Sequence, residues 1–208
     1  MGLAQPFVIE NRPGANTNLA TEAVVRAQPD GYTLLVFDTS PTISATYYDK
    51  LKFDFVRDIA PVASIVRQPL VLVVNPSFPA KTVPEFIAYA KANPGNLNMA
   101  SAGAGTGGHV AGELFKMQTR VNVIHVPYRG AALALTDLIG GQVQFMFAGL
   151  LGAIEYIKSG RLCTLAVTSA TRSESLPNVP SLSEFLPAYV ADDWKGIGAP
   201  TRSAATLP

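Results

Sequence analysis

The chain has 208 residues, of which 48% are hydrophobic and 15% are charged, and its formal net charge is +1. This composition excludes an extensively disordered chain, and the near-neutral charge excludes the basic surface by which proteins bind nucleic acid or anionic membranes. No apolar run reaches the roughly 18 residues of a membrane-spanning helix, and we expect no signal peptide, because the first residues lack a basic region followed by an apolar one.

Short β-branched runs alternate with helical patterns along the chain, which predicts an α/β fold of two small lobes with mostly parallel sheets. The predicted strands are 7–10, 32–37, 60–66, 70–75, 97–101, 122–128, 143–148, 162–169 and 194–200. The predicted helices are 18–28, 82–95, 106–118, 130–141, 150–160 and a short one near 181–186, with Asn18 and Thr82 as N-caps. Polar loops are expected at 10–18 and 38–42, and a tail at 201–208.

The segment SAGAGTGGH, residues 101–109, has the G-x-G-x-x-G spacing of dinucleotide-binding loops at Gly103, Gly105 and Gly108. It follows a predicted strand and opens a predicted helix, so its backbone N–H groups and the helix N-terminus favour an anion. A dinucleotide site would also need an acidic residue at the end of the next strand. That position reads HVPYRG and offers Tyr128 and Arg129 instead. An enzyme that uses a phosphorylated dinucleotide at residues 103–108 therefore stays an alternative.

Two further strand-to-helix loops, PYRG at 127–130 and FAGLLG at 147–152, are expected beside the glycine-rich one. Three neighbouring strand ends that present small residues and backbone N–H groups suit a carboxylate ligand. The chain has no G-x-S-x-G nucleophile elbow, no phosphate-binding G-x-x-x-x-G-K loop and no H-E-x-x-H motif, and its two histidines and one cysteine lack metal-ligand spacing. The residues thus favour binding over catalysis, with no metal and no cofactor.

At these residues the sequence resembles the Bug family, the periplasmic receptors of tripartite tricarboxylate transporters. The resemblance covers nearly the whole chain and includes NRPGANTN, NPGNLNMASAGAGTGGHVAGELF, VIHVPYRGAALALTDLIGGQVQFMF and GIGAP. It implies a type II periplasmic binding-protein fold that closes on a small organic carboxylate and passes it to membrane transporter subunits. The implied first lobe comprises 1–75 plus 193–208, and the second comprises 76–192.

The resemblance also implies which residues contact the ligand, mainly through backbone N–H groups and hydroxyls. These are Thr39, Ser40, Ser101, Gly103, Thr106, His109, Tyr128, Gly130, Ala131 and Ala148. Many family members have an acidic or amide side chain where Ala148 stands, so polar contacts from that loop are not expected here.

Family members usually have a further ligand-binding loop before the first residues of this chain, and helices after the GIGAP match. The resemblance therefore implies an incomplete first lobe, with an exposed sheet edge that favours self-association. A fragment that no longer binds a ligand is the third alternative.

Overall fold

The computed structural model describes residues 6–201 and 203. Within that part of the chain there are seven strands: β1 Leu35–Phe37, β2 Ile59–Val74, β3 Asn98–Ser101, β4 Ile124–Pro127, β5 Phe145–Gly149, β6 Cys163–Val167 and β7 Asp192–Pro200. The same residues form seven α-helices and one 3-10 helix, Leu182–Glu184. The α-helices are α1 Asn18–Val25, α2 Ser40–Tyr47, α3 Phe55–Asp58, α4 Val83–Ala92, α5 Gly107–Thr119, α6 Ala131–Ile139 and α7 Leu150–Lys158. None of these helices has the length and apolar character needed to cross a membrane.

The strands form a large sheet and a small sheet that share β2. In the large sheet β3 pairs in parallel with β4 and β5, while residues 70–74 of β2 pair antiparallel with β5 and β6. The strands β3, β4, β5 and β6 therefore all run in one direction, as the predicted parallel sheet requires. In the small sheet β7 lies between β1 and residues 59–69 of β2, and both pairings are antiparallel.

The prediction of separate strands at 60–66 and 70–75 is wrong, because β2 is one strand of 16 residues. It pairs with β7 up to Pro69 and then enters the large sheet at Leu70. The Arg67–Pro69 segment is typical of an interruption between two strands, because proline lacks the N–H that a central strand donates. Here that proline lies where the strand passes from one sheet to the other.

Three other expectations near the N-terminus are also wrong. Residues 7–10 form no strand, and Phe7, Val8 and Ile9 are exposed. The predicted loop at 38–42 begins helix α2, which has Pro41 in its first turn, where the missing N–H of proline costs nothing. The N-cap of α1 is Thr17 rather than Asn18. The tail predicted from residue 201 lies outside the described residues except at 201 and 203.

The large sheet is buried on both faces, as its continuous apolar strands predict. Along β2, Leu72 packs with α4 and α5 through Phe86 and Phe115, whereas Val73 packs on the opposite face with α6 and α7. The predicted cap Thr82 is confirmed at the start of α4, where it forms a capping box with Glu85. This packing fixes the carboxyl ends of β3, β4 and β5, and with them the loops that lead into α5, α6 and α7.

The small sheet has a core on one face only. Val24, Leu35, Phe37, Phe53, Phe55 and Ile59 form that core, with Trp194 packed against it. Val36, Val62 and Ile65 are exposed on the strands of the same sheet.

Candidate functional site

The glycine-rich loop between β3 and α5 is held by the hydroxyls that were predicted to bind a ligand. Ser101 is fully buried, and its hydroxyl donates to the Gly103 carbonyl (3.0 Å) and accepts the Gly103 N–H (3.2 Å). The Thr106 hydroxyl donates to the same carbonyl at 2.7 Å. Both side chains therefore shape the loop, a role that G-x-G-x-x-G spacing alone did not indicate.

The three glycines of the loop serve two different purposes. Gly103 and Gly105 have φ angles of 151° and 82°, which side-chain-bearing residues rarely adopt. Gly108 lies in α5, where a Cβ would stand 2.4 Å from the carbonyl oxygen of Phe147 on β5. The third glycine thus allows the start of α5 to pack against the backbone of β5. This close packing positions the first N–H groups of the helix, which have no acceptor within the helix itself.

Two stacked histidines lie behind this loop. His109 accepts the Gly105 N–H at Nδ1 (3.0 Å), and its ring stacks on His125 with the centroids 4.0 Å apart. His125 in turn places Nε2 2.7 Å from the hydroxyl oxygen of Ser101. Burial and the neighbouring His109 lower the pKa of His125 to about 4, and burial lowers the pKa of His109. Both rings are therefore neutral at pH 7 and support the loop.

An asparagine that the sequence did not single out joins the N-terminal part of the chain to this loop. The side-chain N–H of Asn16 donates to the Gly105 carbonyl (2.9 Å) and to the Ser44 hydroxyl (3.0 Å). Asn16 lies in the predicted polar loop 10–18 and has a φ of 53°, a left-handed conformation that asparagine tolerates better than most residues. Turn-forming asparagines are common in surface loops, so nothing in the sequence distinguishes Asn16 from the others.

The two hydroxyl residues predicted on the 38–42 loop lie against the start of α5. The Thr39 hydroxyl oxygen is 3.1 Å from the position that a Cβ on Gly107 would take. Ser40 is fully buried, and its hydroxyl has no hydrogen-bond partner within the described part of the chain. The structure therefore brings Thr39, Ser40 and the glycine-rich loop together.

A second polar pair, which the sequence did not single out, lies where β2 passes from the small sheet into the large one, next to the start of β7. Gln68 and Asp193 are cross-strand partners, both are buried, and the amide of Gln68 donates to Asp193 Oδ2 at 3.2 Å. Thr39 contacts Asp193 Oδ1 at 3.4 Å, and Lys195 contacts Oδ2 at 3.1 Å. Each of these polar residues stands beside an apolar strand segment, which could have marked it as unusual. The sequence does not show that they are partners, because they are 125 residues apart.

The residues predicted on the other two strand-to-helix loops are engaged within the protein. The Tyr128 hydroxyl donates to Asp137 on α6 (2.7 Å), and the Gly130 N–H donates to the Ala102 carbonyl (3.0 Å). Ala131 begins α6 and is exposed. Ala148 is 2% exposed, and its side chain belongs to the core between β5 and the helices α6 and α7.

Tyr128→Phe tests whether the Tyr128 hydroxyl stabilises the folded protein or contacts a ligand. Burial and the bond to Asp137 raise the pKa of Tyr128 to about 12, so the hydroxyl is protonated at pH 7 and is used as a donor within the protein. We expect the free energy of unfolding to fall by about 1 kcal/mol and ligand affinity to change less than about twofold. Chemical denaturation and calorimetric titration measure the two effects. A loss of affinity above about tenfold would show that the hydroxyl contacts the ligand.

The two sheets share β2, and the starts of α5 and α7 lie near their junction beside Thr39 and Gln68. This fold is that of the periplasmic binding proteins. The chain matches the family described as "Tripartite tricarboxylate transporter family receptor" over residues 1–207, and it belongs to this family. The resemblance to the Bug family is thereby confirmed.

Relatives of known name and structure agree with this assignment. Protein BugT of Bordetella pertussis is 34% identical over 95% of this chain and 62% of its own length. A solved structure of an R. palustris protein with adipate has a TM-score of 0.91 and 35% identity, covering 96% of this chain and 67% of that one. MatC from Rhodopseudomonas palustris with bound malate has a TM-score of 0.91 and 32% identity, covering 97% and 69%. The chain spans about three fifths of the length of the curated relatives that it matches.

Proposed function

We propose that this chain is the ligand-binding part of an extracytoplasmic solute receptor, and that it binds a small organic carboxylate without chemically changing it. The receptor class of the family supports this proposal, as do the relatives solved with adipate and malate. Membrane subunits of a tripartite tricarboxylate transporter are the proposed partners, and the periplasm is the proposed location.

The observation that carries the proposal is the convergence of three helix N-termini at the junction of the sheets. Thr39 caps α2, Gly107 begins α5 and Gly149 caps α7. Each N-terminus contributes a partial positive charge and backbone N–H groups, which together favour an anion. Thr39 and Ser40 add hydroxyls from the side opposite the glycine-rich loop.

We propose different roles for the ten predicted site residues. Thr39, Ser40 and the first N–H groups of α5 contact the carboxylate, and the remaining residues hold the loops that present those groups. The supporting residues are Ser101, Gly103, Thr106, His109, Tyr128, Gly130, Ala131 and Ala148.

The domain boundaries are part of the same proposal. The division into a first lobe of 1–75 plus 193–208 and a second of 76–192 stays a prediction, and we propose that the chain changes lobes within β2 near Pro69 and again at the start of β7. Closure would then bend the chain near Pro69 and Asp192, where β2 changes sheets. The exposed Val36, Val62 and Ile65 on the small sheet are the proposed surface for self-association.

Calorimetric titration of the chain with adipate, malate, succinate and a phosphorylated dinucleotide tests the function. We expect saturable binding of at least one carboxylate with one site per chain, and a rise in melting temperature that grows with ligand concentration. Thr39→Val keeps the side-chain shape but removes the hydroxyl, and should weaken binding by about fivefold or more. Tyr128→Phe is the matched control with a hydroxyl removed elsewhere. Binding of the dinucleotide alone would overturn the proposal, and binding of nothing would favour the non-binding fragment.

A further inference from the structure

The side-chain amide of Asn16 joins two parts of the chain that belong to different sheets. Its Nδ2 donates to the hydroxyl of Ser44 on α2 at 3.0 Å and to the carbonyl of Gly105 at 2.9 Å. The Ser40 carbonyl lies further away, at 3.4 Å. Because an amide nitrogen has two hydrogens, the two short contacts use both of them. One hydrogen therefore goes to the helix that follows β1 of the small sheet, and the other goes to the loop that follows β3 of the large sheet.

The backbone around Asn16 has an uncommon conformation. Ala15, Asn16 and Thr17 have φ angles of 47°, 53° and 66°. Residues with a side chain seldom adopt left-handed angles, and they do so singly rather than three in succession. A conformation of this kind persists only where its surroundings hold it, and it is a common feature of functional segments. The turn brings the Asn16 amide so close to the glycine-rich loop that a Cβ on Gly105 would stand 2.9 Å from Nδ2.

The hydrogen bond from Asn16 to Gly105 differs from the other contact of its kind. Among the described residues, one further side-chain hydrogen bond joins the chain before Pro69 to the large sheet with its helices and loops, from the Leu151 N–H to Gln68 (2.8 Å). Gln68 adjoins Pro69, where β2 changes sheets, so that bond lies at the proposed bend itself. The Asn16 bond lies elsewhere, and it would break if the two sheets separated at the glycine-rich loop, because a donor–acceptor distance beyond about 3.5 Å is no longer a hydrogen bond.

We infer that Asn16 is a latch between the two lobes, which holds the glycine-rich loop against α2 and thereby sets how readily the cleft opens. This inference rests on the lobes of the proposed function, because it assumes that the two sheets move relative to one another. Tyr47 on α2 packs at the same place, 3.4 Å from the Cβ position of Gly105 and with its ring edge toward His109, at a centroid distance of 6.2 Å. Ring contacts tolerate small displacements better than a hydrogen bond does, so the amide of Asn16 is the contact that opening must break.

Distances between two spin labels, measured by double electron–electron resonance, test the inference. Val56→Cys on α3 and Met117→Cys on α5 carry the labels in a chain with Cys163→Ser, because both positions are exposed. Asn16→Gly keeps the left-handed turn accessible and removes the amide. We expect the population with the longer label distance to grow by about threefold or more. Asn16→Asp should have the same effect, because a carboxylate cannot donate to the Gly105 carbonyl.

Ser44→Ala is the matched control for the two Asn16 variants. It removes the partner of Asn16 on α2 and leaves the hydrogen bond to Gly105 in place. Its label distances should therefore match those of the labelled chain that retains Asn16 and Ser44.

The outcomes separate this inference from the proposed function. Unchanged label distances in folded Asn16→Gly and Asn16→Asp, with folding verified by melting temperature, would overturn the inference. An equal lengthening in Ser44→Ala would also overturn it, because a general loosening of the turn would then account for the change. These measurements use no ligand, so a chain that bound no carboxylate would overturn the proposed function, whereas the latch would still be judged by the label distances.

Discussion

Gly108→Ala is expected to destabilise the protein by about 2–3 kcal/mol, although alanine is ordinarily the better helix former. The new Cβ would stand 2.4 Å from the Phe147 carbonyl oxygen, which belongs to the backbone of a central strand and cannot turn away. Helix α5 must therefore move off β5, and the N–H groups at its start move with it. In a chain of this size the melting temperature should fall by roughly 5–10 °C, and carboxylate affinity should fall as well.

Gly152→Ala is the matched control for this change. Gly152 is an exposed residue in the first half of α7, has no positive φ, and a Cβ there would meet nothing within 4 Å. The same substitution should raise the melting temperature by about 2–4 °C, because alanine restricts the unfolded chain without a clash in the folded one. Differential scanning calorimetry of both variants measures the contrast. Equal stabilisation by both substitutions would show that α5 does not depend on close contact with β5.

The second large effect that we expect is a decrease in the free energy of unfolding in mild acid, caused by the stacked pair His109 and His125. His125 has a pKa of about 4 in the folded protein against 6.5 for a free side chain, so the folded state holds the neutral ring. A group whose pKa is lowered by folding contributes stability above its unfolded pKa and loses it as the pH falls through the folded value. The free energy of unfolding should therefore decrease as the pH falls from about 6.5 to 4. Because both residues keep partial contact with solvent, we expect a decrease of about 1–2 kcal/mol.

The surroundings of the pair explain why protonation is unfavourable. Glu113 on α5 favours the charged forms of both rings, but Lys116 opposes them and burial is the largest influence. Tyr47 on α2 places an aromatic edge against His109 rather than a negative charge. A proton on Nδ1 of His109 would also remove the acceptor of the Gly105 N–H, so ligand affinity should fall over the same pH range.

Two substitutions preserve the hydrogen bonds of these side chains but remove the imidazole groups that gain a proton. His109→Asn places an amide oxygen near the position of Nδ1, and His125→Gln places an amide near Nε2, so the contacts to Gly105 and Ser101 remain possible. Urea denaturation at a series of pH values should show a flatter profile for the double variant than for the wild type between pH 6.5 and 4. A double variant that matched the wild-type slope would place the acid sensitivity elsewhere in the molecule.

The agreement between sequence and structure is best from α4 to β6. There the signals are local: Thr82 and Glu85 form a capping box, Asn-Pro-Gly ends the helix, and apolar runs mark strands that are buried on both faces. It is poorer for β2 and for residues 7–10. Whether Pro69 breaks a strand or lies within one depends on the strands that pair with it. Whether the apolar residues 7–10 form a strand likewise depends on a partner strand, which the local sequence does not specify.

The sequence by itself determined the family, the α/β fold and the position of the glycine-rich loop, because these depend on long ordered motifs and on periodicity. Only the tertiary structure decided what each residue of that loop does. Whether the hydroxyls of Ser101 and Thr106 face a ligand or the Gly103 carbonyl depends on the turn that the chain adopts. The roles of Asn16, Gln68 and Asp193 required the fold as well, because their partners lie far away in sequence and meet only where the two sheets join.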